Sequence, residues 1–452
     1  MVMEKKDSFG SKIGFILAAA GSAVGLGNIW RFPYLAAKYG GGIFLLVYIV
    51  LAVTFGFALM ITEISLGRKT GKSVIGAYKE ADKRFGFLGP FASAVPFIIT
   101  PYYCVIGGWV FKYFAVFLTG SGIEATDDGY FSGFISNAGQ TTVYFLIFAI
   151  ATAVIVLLGV EKGIENVSKV LMPVLILLSI GIAIFTITRP GAGTGLKYYF
   201  LPNFEGFTVA KLIKTVIGAM GQLFYSMSLA MGIMVTYGSY MQKNFSIESS
   251  TRQIEFFDTL IALLAGVIIV PSVFIFSGGD AEAINAGPGL MFITLPKVFE
   301  SMWGGQIVGT LFFVLVALAA LTSSVSLLET MVSIIQEKFK LARIPATFIC
   351  SIVLVVLGMM SILGYSSWSE FTIFGYQILD FFDFISNNIM MPIVALLTCI
   401  LIGYFVKTKY ILSEMEDNGE NFKAKGMYNV MVKFVCPICM IIILLAPFFI
   451  DI

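Results

Sequence analysis

Histidine is absent from all 452 residues, which excludes histidine-ligated haem or zinc and histidine-based acid–base catalysis. Charge is scarce as well: 12% of residues are Asp, Glu, Lys or Arg, about half the roughly 25% of ordinary soluble domains. A net charge of +2 gives no reason to propose a nucleic-acid partner. No GxxxxGK[ST] phosphate loop is present, so direct coupling to ATP is not expected and any energy source must be an ion gradient. Cysteines at 104, 350, 399, 436 and 439 make no disulfide framework. Cys436 and Cys439 have redox spacing, but they lie in an apolar run without βαβ context and read as helix packing.

Long apolar runs are abundant instead. Hydrophobic residues make up 58% of the chain and mean hydropathy is +0.92, the profile of a polytopic membrane protein. Crossing a bilayer takes about 20 apolar residues. Eleven such runs are read at 12–37, 42–67, 89–119, 141–159, 167–187, 213–240, 257–277, 304–336, 345–363, 374–405 and 428–449. The first is expected to be a true span, because it is too long for a cleaved signal peptide and carries glycines instead of a small-residue cleavage site. Arg68, Lys69, Lys72, Lys79, Lys83 and Arg84 crowd the loop after run two, whereas 120–140 has no Lys or Arg and carries Glu124, Asp127 and Asp128. The positive-inside rule therefore predicts a cytoplasmic N-terminus, and an odd number of spans predicts a C-terminus outside.

The first run is interrupted where interruption is least expected, at Gly21-Ser22-Ala23-Val24-Gly25-Leu26-Gly27-Asn28. Hydrocarbon supplies no partner for free N–H and C=O groups, so backbone leaving a helix at that depth must face a ligand, an ion or water. Small residues also let membrane helices pack closely, but Asn28 and Arg31 follow at once and both are costly there. A second broken run, from Gly218 and Gly221 to Gly232, stands where a two-fold internal repeat places it, with runs 1–5 and 6–10 as halves. Paired broken helices are the pointer to a transporter's central site, with half-helix N-termini facing an anionic group and freed carbonyls holding cations. Run eight adds Thr322-Ser323-Ser324. Such hydroxyls often bond back to their own helix; beside two broken runs they read as ligands for a hard cation. Glu63 reads as a hydrogen-bonding clasp near the first break.

These stretches resemble the neurotransmitter:sodium symporters, specifically the bacterial amino-acid transporters of LeuT type. The resemblance runs from Lys12 through the tenth run and includes GSAVGLGNIWRFPY (21–34), GGGIFLLVY (40–48), PYY (101–103), KGIENVSKVLMP (162–173), GQLFYSMSLAMG (221–232), ITLP (293–296), LTSS (321–324) and LDFFDF (379–384). It implies an all-α membrane protein, a 5+5 inverted repeat with about eleven helices, helices 1 and 6 unwound at mid-membrane. A single domain over 1–452 is expected, with repeat one at about 12–187, repeat two at about 213–405 and an additional helix at about 428–449. It further implies a bacterial cytoplasmic membrane location, no enzymatic activity and no obligatory protein partner.

Carried over by position, the resemblance implies two co-transported sodium ions. One is held by the Ala23 carbonyl, Asn28, Ser226, Asp258 and the substrate carboxylate. The other is held by the carbonyls of Gly21, Val24 and Ala319 and the hydroxyls of Thr322 and Ser323. The substrate carboxylate meets the N–H groups of Leu26 and Gly27 and the Tyr103 hydroxyl; its ammonium meets carbonyls of Ala23, Tyr225 and Ser226 and the Ser228 hydroxyl. Ile99, Tyr103, Tyr225, Ser228, Met231, Ser323 and Leu327 surround its side chain.

Chloride-dependent members resemble this chain at Tyr48, Gln222 and Ser226 but carry Asn at the position of Asp258 and Ser near Ala262. The carboxylate of Asp258 is therefore expected to balance sodium and make transport chloride-independent; the alternative is a helix N-cap. Arg31 and Asp383 are expected to pair above Tyr103 and Tyr225 as an outer gate, with Lys6 and Glu337 as the inner one. Phe9 stands where the family usually has Trp. Gly163 and Pro173, spaced Gly-x9-Pro, resemble an element at which helix 5 unwinds; the plain reading is a helix-start Gly and a helix Pro. The mostly apolar pocket argues against charged substrates, and adaptable Met suits large hydrophobes. A hydrophobic or aromatic amino acid follows, tyrosine or tryptophan ahead of leucine. The alternative is a proton-coupled permease of the same architecture; a channel would need a continuous polar pore, and no nucleophile or metal motif supports an enzyme.

Overall fold

The computed structural model describes residues 8–278, 287–417, 419 and 421–449; Lys6 lies outside the described residues. Nearly all of it is helical. Among the described residues, nine helices are long and apolar enough to cross a membrane: Gly42–Thr70, Lys83–Leu118, Ala138–Leu157, Val160–Ile187, Ile247–Ser277, Gly305–Phe339, Arg343–Gly364, Ile378–Phe405 and Lys425–Ala446. A tenth span is the pair Lys12–Ala23 and Gly27–Lys38, bent by 55°. The sixth run does not count as a continuous span because it is divided into Val209–Ser226 and Ile233–Tyr240.

Local chemistry accounts for both breaks. Ser11 caps the first helix, its hydroxyl accepting the Gly14 amide at 3.1 Å, and the helix ends when Val24 turns extended. Asn28, just inside the next half, reaches back across the break: its Oδ1 accepts the Gly25 amide at 3.1 Å. In the sixth run the chain from Met227 to Gly232 leaves the helix, with φ of +53° at Ser228 and +59° at Ala230. These are left-handed conformations that cost non-glycine residues about 1–3 kcal/mol each. Glu63, from the second span, accepts the Ala230 amide at 2.7 Å. The clasp expected at the first break therefore sits on the second, because the helix carrying Glu63 packs against Ile233–Tyr240.

That packing is close enough to require glycine. A Cβ on Gly67 would come 1.9 Å from the Val235 carbonyl oxygen, and one on Gly238 would come 2.3 Å from that of Ile64. The two helices touch backbone to backbone, as small residues permit between membrane helices. Lys12–Ala23 is enclosed by Ile247–Ser277, Gly305–Phe339 and Asn166–Ile187, and Gly305–Phe339 also packs along Leu88–Leu118. Around this interior, Leu46, Val50, Ile150, Val154, Leu177, Phe348, Ile352 and Val356 are exposed, an apolar surface that only a lipid environment covers at no cost. The free cysteines, Cys436 and Cys439 among them, are all buried.

Candidate functional site

The broken ends converge. The cavity between them has a volume of about 30 Å³ and is lined by Ala23, Leu26, Gly27, Ile99, Tyr103, Tyr225, Ser226, Ser228, Met231, Ser323 and Leu327, together with Ser22, Gly25, Asn28 and Ile233. Every residue assigned to substrate from the motifs therefore faces one space. Ser22 was not foreseen, although it lies within the glycine run: its carbonyl accepts the hydroxyls of Ser228 at 2.9 Å and Ser323 at 3.0 Å.

Carbonyls freed at the first break point toward the eighth span. Ser323 Oγ lies 3.4 Å from the Gly21 carbonyl and 3.3 Å from that of Val24. Thr322 adjoins Gly21, where an added Cβ would stand 3.2 Å from Thr322 Cβ. Its hydroxyl nevertheless donates to its own helix, to the Leu318 and Ala319 carbonyls at 3.1 Å. Ser324 likewise donates to Leu321 and meets Thr152. Of the three hydroxyls, Ser323 alone bonds to the break, and back-bonding describes the other two. The oxygen set of Gly21, Val24, Ala319, Thr322 and Ser323 has the donor chemistry of a hard cation such as sodium.

On the other side of the break, Asp258 is fully buried in the middle of Ile247–Ser277. The N-cap of that helix is Ser246, so the capping alternative for Asp258 does not hold. Its Oδ1 accepts Asn28 Nδ2 at 2.7 Å, and its Oδ2 accepts the Ser226 hydroxyl at 3.3 Å and the Tyr48 hydroxyl at 3.4 Å. Among the described residues no ion pair joins it to a Lys or Arg. A buried carboxylate without a cation is costly, and one beside the Ala23 break and Asn28 is a ready partner for an entering cation. Gln222 steadies the same segment, donating Nε2 to the Gly27 carbonyl at 2.9 Å. Leu26 donates its amide to the Tyr103 hydroxyl at 3.3 Å.

Above this cavity lies a larger one of about 710 Å³, lined among others by Arg31, Gly221, Phe224, Tyr225, Asp380 and Asp383. Tyr225 lines both cavities. The expected pairing of Arg31 with Asp383 is not made: the guanidinium lies over the Tyr225 ring at 5.5 Å, and Asp383 accepts Asn387 Nδ2 at 2.7 Å. The vestibule separates them. At the opposite end, Glu337 accepts the Ser73 amide at 2.5 Å; its expected partner Lys6 lies outside the described residues. Helix 5 is wound, a π turn over Val160–Glu165 that contains Gly163 running straight into Asn166–Ile187 with Pro173 inside. The expected unwinding is therefore not seen here.

Sequence reasoning missed the ties that close this end. Arg343 bridges the fully buried Glu329, which also accepts the Tyr240 hydroxyl at 2.8 Å. Phe9 is buried against Phe15, Tyr237 and Tyr240. Glu165 accepts the Gly10 amide at 2.6 Å and the Ser11 hydroxyl at 2.7 Å. Arg68 Nε pairs with Glu414 at 2.8 Å.

Residues 6–122 and 130–450 match the family model described as the sodium:neurotransmitter symporter family. An uncharacterised sodium-dependent transporter of Bacillus subtilis, YhdH, is 36% identical, over 98% of this chain and 98% of that protein. One of Haemophilus influenzae is 32% identical, over 99% of each. The crystal structure of MhsT in complex with L-phenylalanine is similar at a TM-score of 0.86 and 35% identity, covering 98% of this chain and 100% of that one. The architecture is the LeuT type that the motifs led us to expect. Two broken spans with their freed backbone, and relatives matched end to end, make this chain a member of the sodium:neurotransmitter symporter family.

Proposed function

We propose that the chain is a secondary active symporter that couples two sodium ions to uptake of a hydrophobic or aromatic L-amino acid by alternating access, independently of chloride. One observation carries the reading: all eleven residues assigned to substrate line a single cavity between two broken helices, beside a buried Asp258 that no Lys or Arg pairs with among the described residues. A zwitterion in that cavity meets the Leu26 and Gly27 amides with its carboxylate and the freed carbonyls with its ammonium. Its carboxylate completes the first sodium shell with Ala23, Asn28, Ser226 and Asp258. Binding then depends on sodium because neither charge of the substrate has a formal counterion from the protein except through the ion.

The cavity between the breaks is small, about 30 Å³ against about 710 Å³ for the vestibule, so a bulky side chain enters when Tyr103, Tyr225 and Met231 move apart. Arg31 and Asp383 would close over it afterwards, while the buried ties around Phe9, Glu329 and Glu165 hold the other side shut. Helix 5 would unwind between Gly163 and Pro173 when that side opens. Tyrosine and tryptophan rank ahead of leucine, a ranking supported by the aromatic ligand of MhsT. We place the chain in a bacterial cytoplasmic membrane as one domain with repeats at about 12–187 and 213–405, N-terminus inside and C-terminus outside. Uptake of radiolabelled tyrosine, tryptophan and leucine into proteoliposomes tests the proposal. Accumulation driven by a sodium gradient, unchanged when gluconate replaces chloride, is expected. Accumulation driven by a proton gradient without sodium would replace it with the proton-coupled reading.

A further inference from the structure

A second apolar cavity, of about 430 Å³, lies behind the outer gate and is lined by Met360, Trp368, Phe371, Ile373, Ile378 and Phe382. Its size falls within the range of about 300–1,000 Å³ typical of small-ligand sites. No lining residue is charged or carries a carboxylate, amide or hydroxyl, so neither sodium nor a zwitterion has a partner there.

Two features identify what does. First, Phe348, Ile352 and Val356 are exposed on the Arg343–Gly364 helix, and Met360 continues this row at four-residue spacing. Residues four apart share a helix face, so the lipid-facing stripe runs directly into the cavity. Met360 stands four residues from the helix end, about 6 Å along the axis at 1.5 Å per residue; the 22-residue helix is about 33 Å long against a hydrocarbon core of about 30 Å, so Met360 lies just inside the hydrocarbon. Second, the loop that roofs the cavity exposes Phe371 and Phe374 together with Trp368 and Tyr376, the last two of residue types that settle at the headgroup level of a bilayer.

The wall of the cavity matters as much as its opening. Ile378 and Phe382 face it from the short helix Ile378–Phe384, whose Asp380, Asp383 and Phe384 line the vestibule on the other side. The width of one short helix thus separates this cavity from Asp383.

We propose that this cavity receives an acyl chain of a phospholipid from the adjoining leaflet, and that the chain braces the gate helix from behind. With the cavity filled, Phe382 is held against hydrocarbon and Asp383 keeps its place over the vestibule; with it empty, the helix can shift backward, away from Arg31, and the closing contact between the two is harder to make. The brace rests on the transport reading above, whereas the binding of the chain does not, so the two are tested separately.

Phosphatidylcholine carrying a diazirine near the end of one acyl chain is reconstituted with the full-length protein, irradiated, and the adducts are mapped by mass spectrometry. Adducts at Phe371 and Phe382, besides the stripe at Phe348 and Ile352, are expected. Met360→Trp and, from the roof, Ile373→Trp fill the space and should reduce the Phe382 adduct roughly tenfold or more, as overpacking does to an occupied site, while Phe348 labelling stays unchanged. Sodium-dependent amino-acid binding by both variants certifies their fold. Because each tryptophan takes the acyl chain's place against Phe382, substrate dissociation from both variants should be the same with and without added phospholipid, whereas dissociation from the parent should be faster in detergent without it. Labelling confined to the stripe, or an undiminished Phe382 adduct in both variants, would overturn the acyl-chain site. Parental dissociation that is the same with and without phospholipid would overturn the brace.

Discussion

Replacing Glu63 by alanine removes the carboxylate that accepts the Ala230 amide at 2.7 Å. Ser228 and Ala230 hold φ of +53° and +59°, so this segment stays in place only while surrounding bonds outweigh its strain. Removing the acceptor leaves the buried Ala230 amide unsatisfied, which costs about 1–3 kcal/mol. Without it the binding-ready form becomes a minority, and apparent affinity falls in proportion to its population. At about 1.4 kcal/mol per tenfold, amino-acid affinity should weaken roughly 5- to 150-fold. The assay is calorimetric titration of purified protein with tyrosine or tryptophan in saturating sodium. Glu63→Gln keeps an acceptor at the same position and should lose less than Glu63→Ala. An affinity of Glu63→Ala within about twofold of the parent would refute the reasoning, because the strained segment would then hold itself.

Asp258→Asn removes the buried carboxylate; uptake should either vanish or come to require chloride, and chloride-independent uptake at the parental rate would contradict the charge-balance argument. Gly25→Ala puts a Cβ 2.8 Å from Ser323 Oγ and 2.9 Å from the Tyr103 hydroxyl, so sodium-dependent binding should be lost while the thermal melting temperature changes little. Arg343→Ala takes the guanidinium from the buried Glu329, and breaking a buried ion pair costs on the order of 3–5 kcal/mol. It should lower thermal stability and let water reach the Phe9 end, read as faster modification of a cysteine introduced in that region.

Both breaks were legible because glycine and polar residues inside an apolar run contradict the cheapest structure, an unbroken helix. The lining of the cavity between the breaks was legible for a related reason: Tyr103, Tyr225, Ser226 and Ser323 each sit in a short stretch whose residue types bear on exposed backbone. Which partner a buried side chain selects was far less legible. Glu63 was assigned to the wrong break, since nothing along the second span records that its helix crosses Ile233–Tyr240. Arg68 and Glu414 stand 346 positions apart, and Glu329 reads as one more polar residue until Arg343 and Tyr240 fold onto it. The gate pairing of Arg31 with Asp383 and the unwinding of helix 5 concern conformations that a sequence contains together but that one structure displays singly. Thr322 illustrates a finer limit: a hydroxyl on a helix can turn inward or back, and residue type alone does not choose.

The central claim is that the backbone exposed at Ala23–Gly27 and Met227–Gly232 is the binding surface. Amide hydrogen exchange at these two segments, measured with sodium alone, amino acid alone and both together, tests it most directly. The account predicts strong protection of Leu26, Gly27 and the 227–232 amides only when both are present. Equal exchange under all conditions, or protection confined to other parts of the protein, would contradict it.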